Sequence, residues 1–303
     1  MLSDEIARYI ALHRATGFKF KIQACLLQHF LRHATARGED HVSADSTVAW
    51  ASAAPSPRSR RDRLQVVRRF AGAMAVENPR HEVPPNLPFG PPRTRPRPYI
   101  FEPAQVDQLL RAAAALRATD ALKPRTFVTL FALLVATGLR VSEALALRLD
   151  DVTPAGLLVR ATKFRKNRLV PIHATTRLGL EAYLAVRSRT GGSCPHVFLS
   201  THRAALPYST AFATFLRLVR GCGLRAGSGH PGPRIHDLRH TFAVRSLEQC
   251  GGDRAAVQRH MVALSTYLGH AHISDTYWYL QATPALLRDV AAASETRANQ
   301  VSQ

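Results

Sequence analysis

Four short segments contain side chains that could do chemistry. They are, in chain order, ATGLRVSEALALRLDDV (136–152), TKFRKNRLVPI (162–172), HDLRHTFAVR (236–245) and LGHAHISDTYWYL (268–280). Arginine binds anions, histidine and lysine transfer protons, and histidine pairs also bind metals. The candidate residues are Arg140, Lys163, Lys166, His236, Arg239, His240, His270 and Tyr279. Each of them alone also has an ordinary structural explanation, as a cap, a surface charge or an aromatic anchor.

A metal site is one interpretation of the third segment. His236 and His240 stand at i and i+4, as the two ligands do in the HExxH zinc helix. That motif requires a glutamate after its first histidine, but this chain has Asp237 there. No third-ligand motif accompanies the pair. The sequence therefore predicts no metal site and no cofactor.

Taken together, the four segments resemble the tyrosine recombinases of the phage integrase family, which include integrases, Xer-type resolvases and transposon-borne recombinases. The resemblance is carried by TGLRVSE, by a lysine before RLVP, by HDLRHTFA, and by LGH followed nine residues later by tyrosine. It spans residues 137–281, and the two-domain layout extends it over nearly the whole chain. DTYWYLQATP is similar to the transposon-associated branch. The segment between His236 and His270 is several residues longer than is usual.

The resemblance implies a site-specific DNA recombinase or integrase that cleaves and rejoins strands through a 3′-phosphotyrosyl intermediate, without ATP. Arg140 and Arg239 would clamp the scissile phosphate, since guanidinium groups stay charged and fit its oxygens. Tyr279 would be the nucleophile, His236 the general acid/base, and His270 a donor to a nonbridging oxygen. The alternative is a catalytically silent DNA-binding relative, which would lack a catalytic residue. None is missing.

Lys163 matches the family's general acid for the leaving 5′ oxygen, and Lys166 is the reserve candidate. The chain has 41 basic residues, of which only five are lysines, and two of those five lie in this segment. An amine releases a proton readily whereas a guanidinium does not, so a proton-transfer site would keep lysine. The competing interpretation is a hairpin tip that is simply basic over DNA, as Arg165 and Arg168 suggest.

Two tyrosines compete for the role of nucleophile. Tyr277 and Tyr279 would point about 200° apart on a helix but would share a face on a strand. The nine-residue spacing from His270 favours Tyr279. Tyr277 is explained as packing or as a second hydrogen-bond donor.

The charge of the chain indicates a polyanionic partner. The formal net charge is +20, and the excess is present on both sides of residue 98. The charge alone indicates a polyanion. The family resemblance implies that this partner is double-stranded DNA with inverted recognition repeats. The four scattered cysteines suit a reducing compartment. No segment has the roughly 20 apolar residues that a membrane span needs, so a cytoplasmic, nucleoid-associated protein is expected.

Periodicity divides the chain into three parts. Residues 1–77 show four helical patterns and predict a helical domain. The family resemblance implies that it is a helical-bundle (SAM-like) core-DNA-binding domain. The last of these helices, from about Arg58 to Val76, has an arginine-rich face that we expect to contact DNA. Its DNA-binding candidates are Arg58, Arg61 and Arg68, to which the hairpin adds Arg165, Lys166 and Arg168. Residues 78–98 contain eight of the 19 prolines and predict an extended linker.

Residues 99–303 predict a mostly helical domain with a small antiparallel sheet, so the fold class is mainly α. The family resemblance implies that this is a mixed α/β catalytic domain of the integrase type. GLLVRAT and NRLVPI alternate apolar and polar residues and predict a hairpin, and HVFLS (196–200) predicts a short strand. The family resemblance implies that both domains close around duplex DNA. The amphipathic tail after Tyr279 would dock on a neighbouring protomer, giving a tetramer on two DNA sites, with partner recombinases as a further option.

Overall fold

A computed structural model describes residues 1–87, 89–90, 98–117, 122–160, 167–190, 192–226, 232–250, 254–270, 272 and 274–280. The chain forms two compact units, Met1–Arg95 and Pro96–Gln303, each with its own hydrophobic core. The predicted fold class is confirmed: the described residues are mainly helical with one small antiparallel sheet. No helix among the described residues combines the length and the apolar character needed to cross a bilayer.

The N-terminal unit is a bundle of four helices. They are α1 (Leu2–Ala15), α2 (Lys21–Ala36), α3 (Ala44–Ser52) and α4 (Pro57–Met74). Ser43 caps α3, and Ser56 caps α4 by accepting a 3.1 Å bond from the Ser59 amide. The apolar faces meet around Phe30, Leu64 and Phe70, which are fully buried.

The first part of the Pro-rich segment, residues 78–90, lies against this bundle. Leu87 and Phe89 pack on its core. His81 is buried; its Nδ1 accepts a 3.0 Å bond from the Val42 amide, and its Nε2 lies 3.0 Å from Glu5. The carbonyls of an extended proline-rich chain have no hydrogen-bond donors within that chain. Donors from neighbouring side chains can therefore fix its position.

The second unit surrounds the apolar helix α6. Its helices are α5 (Pro103–Ala114), α6 (Leu122–Thr137), α7 (Val141–Ala146), α8 (Ala174–Thr190), α9 (Tyr208–Gly221), α10 (Asp237–Glu248), α11 (Arg254–Leu268) and α12 (Ser274–Leu280). α6 packs against α5, α8 and α10, and its Leu130, Phe131 and Leu134 are buried. Because α6 ends at Thr137 and α7 begins at Val141, Arg140 lies in the corner between two packed helices.

The sheet has the order β1-β2-β3, with β1 Val152–Thr153, β2 Gly156–Val159 and β3 Arg168–Val170. The pairing of β2 with β3 confirms the predicted hairpin and sets Val159 opposite Arg168.

The strand predicted at 196–200 is wrong. This segment makes only isolated bridges, from His196 to Arg148 and from Leu199 to Ala205. Its three central residues, 197–199, are all buried, whereas successive side chains of a half-buried strand alternate between buried and exposed. The apolar run therefore reflects burial in the core rather than a place in the sheet.

Candidate active site

The site is built at the C-terminal end of α11. Gly269 adopts a left-handed conformation (φ +66°), and its amide donates to Thr266 O (3.0 Å). The amide of His270 donates to Ser265 O (3.0 Å), so the chain turns away after closing two carbonyls of the last turn. The next three carbonyls remain available as acceptors at the negative end of the helix dipole.

Three arginines, each from a different element, bind these three successive carbonyls. The bonds are Arg168 Nε to Tyr267 O (3.0 Å), Arg239 Nη2 to Leu268 O (2.8 Å) and Arg140 Nη2 to Gly269 O (3.2 Å). The end of one helix therefore holds the guanidinium groups from α10, β3 and the α6–α7 corner in a fixed order. We call Arg140, Arg168 and Arg239 the arginine cluster.

Glu143 is the carboxylate of the arginine cluster. It accepts 2.8 Å and 3.0 Å bonds from the side chain and the backbone amide of Arg140, and 3.0 Å and 2.7 Å bonds from Arg168. Burial alone would raise the pKa of Glu143, but the hydrogen bonds from Arg168 and Arg140 outweigh it and hold the pKa at about 2. Glu143 stands three residues after Arg140 in TGLRVSE, a spacing that could have suggested the pair.

Arg239 is the most enclosed member of the cluster, with 2% of its surface exposed. Its Nη1 donates to Gly138 O (2.6 Å), and a side chain at Gly138 (φ +61°) would collide with the Phe242 ring. Burial, then the charge of Arg140, lowers the pKa of Arg239 to about 10, so it stays charged at neutral pH. Three cations with one carboxylate leave the cluster positive, as an anion site requires.

Tyr279 and His270 are brought together by α12. Tyr279 is buried (1% exposed), and its ring stacks on His270 with 6.1 Å between centroids and 19° between planes. His270 Nδ1 lies 2.7 Å from Thr276 Oγ1. Residues 274–280 form a helix that carries Tyr279, whereas the side chain of Tyr277 lies outside the described part of the structure.

His236 and His240 lie one turn apart on α10 and differ in exposure. His236 is exposed at the start of the helix, whereas His240 is buried with its Nδ1 3.1 Å from Tyr279 Oη. The two rings meet edge to face at 4.7 Å. The sequence pattern HxxRH contains His240, but His240 is missing from the predicted catalytic set. Among the described residues, no three His, Cys, Asp or Glu side chains are gathered as metal ligands would be.

The site residues predicted in the hairpin, catalytic Lys163 and DNA-binding Arg165, Lys166 and Arg168, fall in two groups. Lys163, Arg165 and Lys166 lie outside the described residues. Arg168 is described, and its side chain is only 14% exposed because it belongs to the arginine cluster. The contacts that it makes are to Glu143 and Tyr267 O, so its position supports an internal role.

The predicted DNA-binding arginines of α4 also differ among themselves. Arg58 is exposed and lies 3.7 Å from Asp62. Arg61 donates to Phe89 O (2.9 Å) and Arg68 to Pro84 O, so both bind the Pro-rich segment.

Comparisons with known proteins identify the family of the chain. The model of the phage integrase family matches residues 100–285. The chain is 37% identical over 304 residues to y4rB of Sinorhizobium fredii, described as an integrase/recombinase, with 96% of each chain covered. It is 33% identical over 235 residues to the tyrosine recombinase XerD of Brucella abortus, covering 74% of this chain and 72% of that one. This chain belongs to the phage integrase family.

The chain is accordingly an enzyme, a site-specific DNA recombinase of the tyrosine type. Its fold is also that of a solved structure, the Tn1549 transposon integrase in complex with transposon right end DNA. The TM-score is 0.66 with 18% identity, and the match covers 96% of this chain and 98% of that one. At that identity the likeness shows the fold alone.

Proposed function

We propose that the arginine cluster and Tyr279 form the strand-transfer site of this recombinase. In this proposal Arg140 and Arg239 bind the nonbridging oxygens of the scissile phosphate and stabilise the charge that grows there during attack. One observation carries it: Arg239 and Arg140 bind the successive carbonyls of Leu268 and Gly269, and the next residue, His270, stacks on the Tyr279 ring. A phosphate that reaches the guanidinium pair would therefore lie near the phenol.

The reaction is a transesterification at phosphorus. The Tyr279 oxygen bonds to phosphorus as the bond to the 5′ oxygen breaks, which leaves a 3′-phosphotyrosyl link and a free 5′-hydroxyl. Lys163 protonates the leaving oxygen, with Lys166 as the reserve candidate. His236 serves as general acid/base, and His270 donates to a nonbridging oxygen. A second 5′-hydroxyl then reverses the chemistry, so the bond energy is conserved.

The DNA partner and the assembly extend the proposal. We expect duplex sites with inverted repeats, contacts from Arg58 and the hairpin residues Arg165 and Lys166, and a tetramer on two DNA sites. A partner recombinase would complete the tetramer if this chain alone does not. The relation to transposon-associated members and a location at the nucleoid belong to the same proposal.

A suicide substrate tests the assignment. Duplexes carrying inverted repeats from the DNA that flanks the gene are nicked stepwise through the spacer, so that the short leaving strand diffuses away after cleavage. The wild type should form a protein–DNA adduct that survives denaturation. Tyr279→Phe should bind the same duplex and form no adduct, and the matched control Tyr277→Phe should form it.

Two outcomes contradict the proposal. An adduct from Tyr279→Phe that maps to another residue would move the nucleophile. If the wild type bound its duplex tightly and formed no adduct at any nick position, the silent DNA-binding alternative would hold.

A further inference from the structure

The phenol of Tyr279 has a buried hydrogen-bond partner that the proposed mechanism does not use. Its Oη lies 3.1 Å from Nδ1 of His240, and the rings are 5.4 Å apart with a 55° tilt. Tyr279 is 1% and His240 4% exposed, so the contact is shielded from solvent. In such a place a proton leaving the phenol needs an acceptor within the protein.

A neighbouring carboxylate prepares His240 to accept that proton. Nε2 of His240 lies 4.0 Å from Oδ1 of Asp237, which is 1% exposed. Arg234 fixes this carboxylate, its amide donating to Oδ2 (2.7 Å) and its Nη2 to Oδ1 (2.9 Å). A separation of 4.0 Å acts through charge rather than through a hydrogen bond. It favours a proton on Nε2, which leaves the Nδ1 lone pair for the phenol, and it stabilises the imidazolium that would form.

Other charged and titratable groups also surround His240. His236 meets it edge to face at 4.7 Å, and Arg239 precedes it on α10. On α12, the Tyr279 ring lies beside His240, and His270 stacks on that ring. The positive charge of Arg239 opposes protonation of His240, whereas Asp237 favours it.

We propose that His240 is the proton acceptor for the attacking tyrosine. This inference rests on the proposed function of Tyr279 as nucleophile. As the Oη–phosphorus bond forms and the phosphorus–O5′ bond breaks, the phenol proton passes to Nδ1 of His240, and Lys163 supplies the proton of the leaving hydroxyl. At rejoining, His240 returns its proton to the departing phenol oxygen. With His240 as the acceptor, the base part of the general acid/base role proposed for His236 passes to His240.

Replacement of His240 by asparagine tests the inference, because an amide keeps a hydrogen bond to the phenol but takes up no proton. On the suicide substrate, His240→Asn should cleave about 10²–10⁴-fold more slowly than the wild type, the usual contribution of a general base. Its melting temperature and its affinity for the duplex are measured alongside. His236→Asn is the matched variant one turn away.

Two chemical substitutions separate the acceptor from the other roles. Difluorotyrosine at position 279 ionises more easily, so it should restore most of the cleavage that His240→Asn loses. A substrate with sulfur in place of the bridging 5′ oxygen has a leaving group that needs no proton, so it should rescue Lys163→Ala and leave His240→Asn slow.

The inference is overturned if His240→Asn cleaves within about threefold of the wild type while the wild type forms its adduct, which leaves the proposed function intact. It is also overturned if difluorotyrosine restores His236→Asn and not His240→Asn. A variant that binds and melts as the wild type does, cleaves slowly, and gains nothing from difluorotyrosine would show that His240 only positions the ring.

Discussion

Arginine side chains bind backbone carbonyls in both units, but the two regions use them differently. In the N-terminal unit, Arg61 and Arg68 reach carbonyls of the Pro-rich segment while remaining half-exposed. In the catalytic unit, the arginine cluster binds the carbonyls at the end of α11 and shares the carboxylate of Glu143. In the N-terminal unit, the arginines supply hydrogen-bond donors that a proline-rich backbone lacks. In the catalytic unit, they concentrate positive charge at one site.

The difference lies in what the surroundings do to the charge. A half-exposed guanidinium is solvated, so its charge costs little and acts weakly on its neighbours. A buried one acts more strongly on its neighbours: although burial raises the pKa of Glu143, hydrogen bonds from Arg168 and Arg140 and the charge of Arg168 hold it at about 2. Three guanidinium groups against one carboxylate leave the cluster with a net positive charge, which the phosphate of the proposed function would neutralise.

Arg239→Lys should break this comparison most strongly. A lysine cannot donate to Gly138 O and Leu268 O together and present a planar fork to phosphate. We expect adduct formation on the suicide substrate to fall by about 10²–10³-fold, as when one donor to a developing oxyanion is removed. Arg68→Lys in the N-terminal unit is the control, with cleavage at saturating protein unchanged within about twofold. Equal losses in both variants would mean that the two regions do not differ in kind.

Glu143→Gln should have the next largest effect, on stability and its pH dependence. The pKa of Glu143 in the folded chain, about 2, lies below its ordinary value of 4.5. A depressed pKa stabilises the folded state above the ordinary value, and that contribution is lost as the pH falls from about 4.5 to 2. The free energy involved is about 3 kcal/mol at most. The urea midpoint of the wild type should therefore fall across this range more steeply than that of Glu143→Gln.

Glu77→Gln supplies the control, because Glu77 is 57% exposed and pairs with Arg8 at the surface of the N-terminal unit. Its urea midpoint should follow the wild type within error from pH 5 to pH 2.5. If Glu143→Gln tracked the wild type as closely, the carboxylate would not be the group that holds the cluster together.

The sequence predicted most of what is local in this molecule. The helix periods and the hairpin both depend on residues a few positions apart. The residues missed depend on distant partners: Glu143 meets Arg168 25 positions away, and His240 meets Tyr279 39 positions away. Motif resemblance brought Arg239, His270 and Tyr279 together, yet it left out the groups that hold them.

Backbone acceptors are the other part that sequence reasoning could not supply. Every residue has a backbone carbonyl, so residue types do not mark those of 267–269 as acceptors. The turn at Gly269 makes them available to the three arginines. The basic composition of the hairpin predicts that Arg168 contacts DNA. Its burial beside Glu143 follows from the register that sets it opposite Val159, which no local pattern reveals.

The smallest expected effect separates two arginines of α4. Arg58 is 74% exposed and its pair with Asp62 at 3.7 Å contributes little, so Arg58→Ala should leave the melting temperature unchanged. If Arg58 contacts a phosphate, its loss should reduce the slope of log affinity against log salt by about 0.9. Arg61→Ala removes the bond to Phe89 O, so it should lower the melting temperature, with any change of slope secondary. Affinities measured from 50 to 300 mM salt on one duplex decide between them. A slope that neither variant changes would remove α4 from the DNA interface and leave its arginines as ties to the Pro-rich segment.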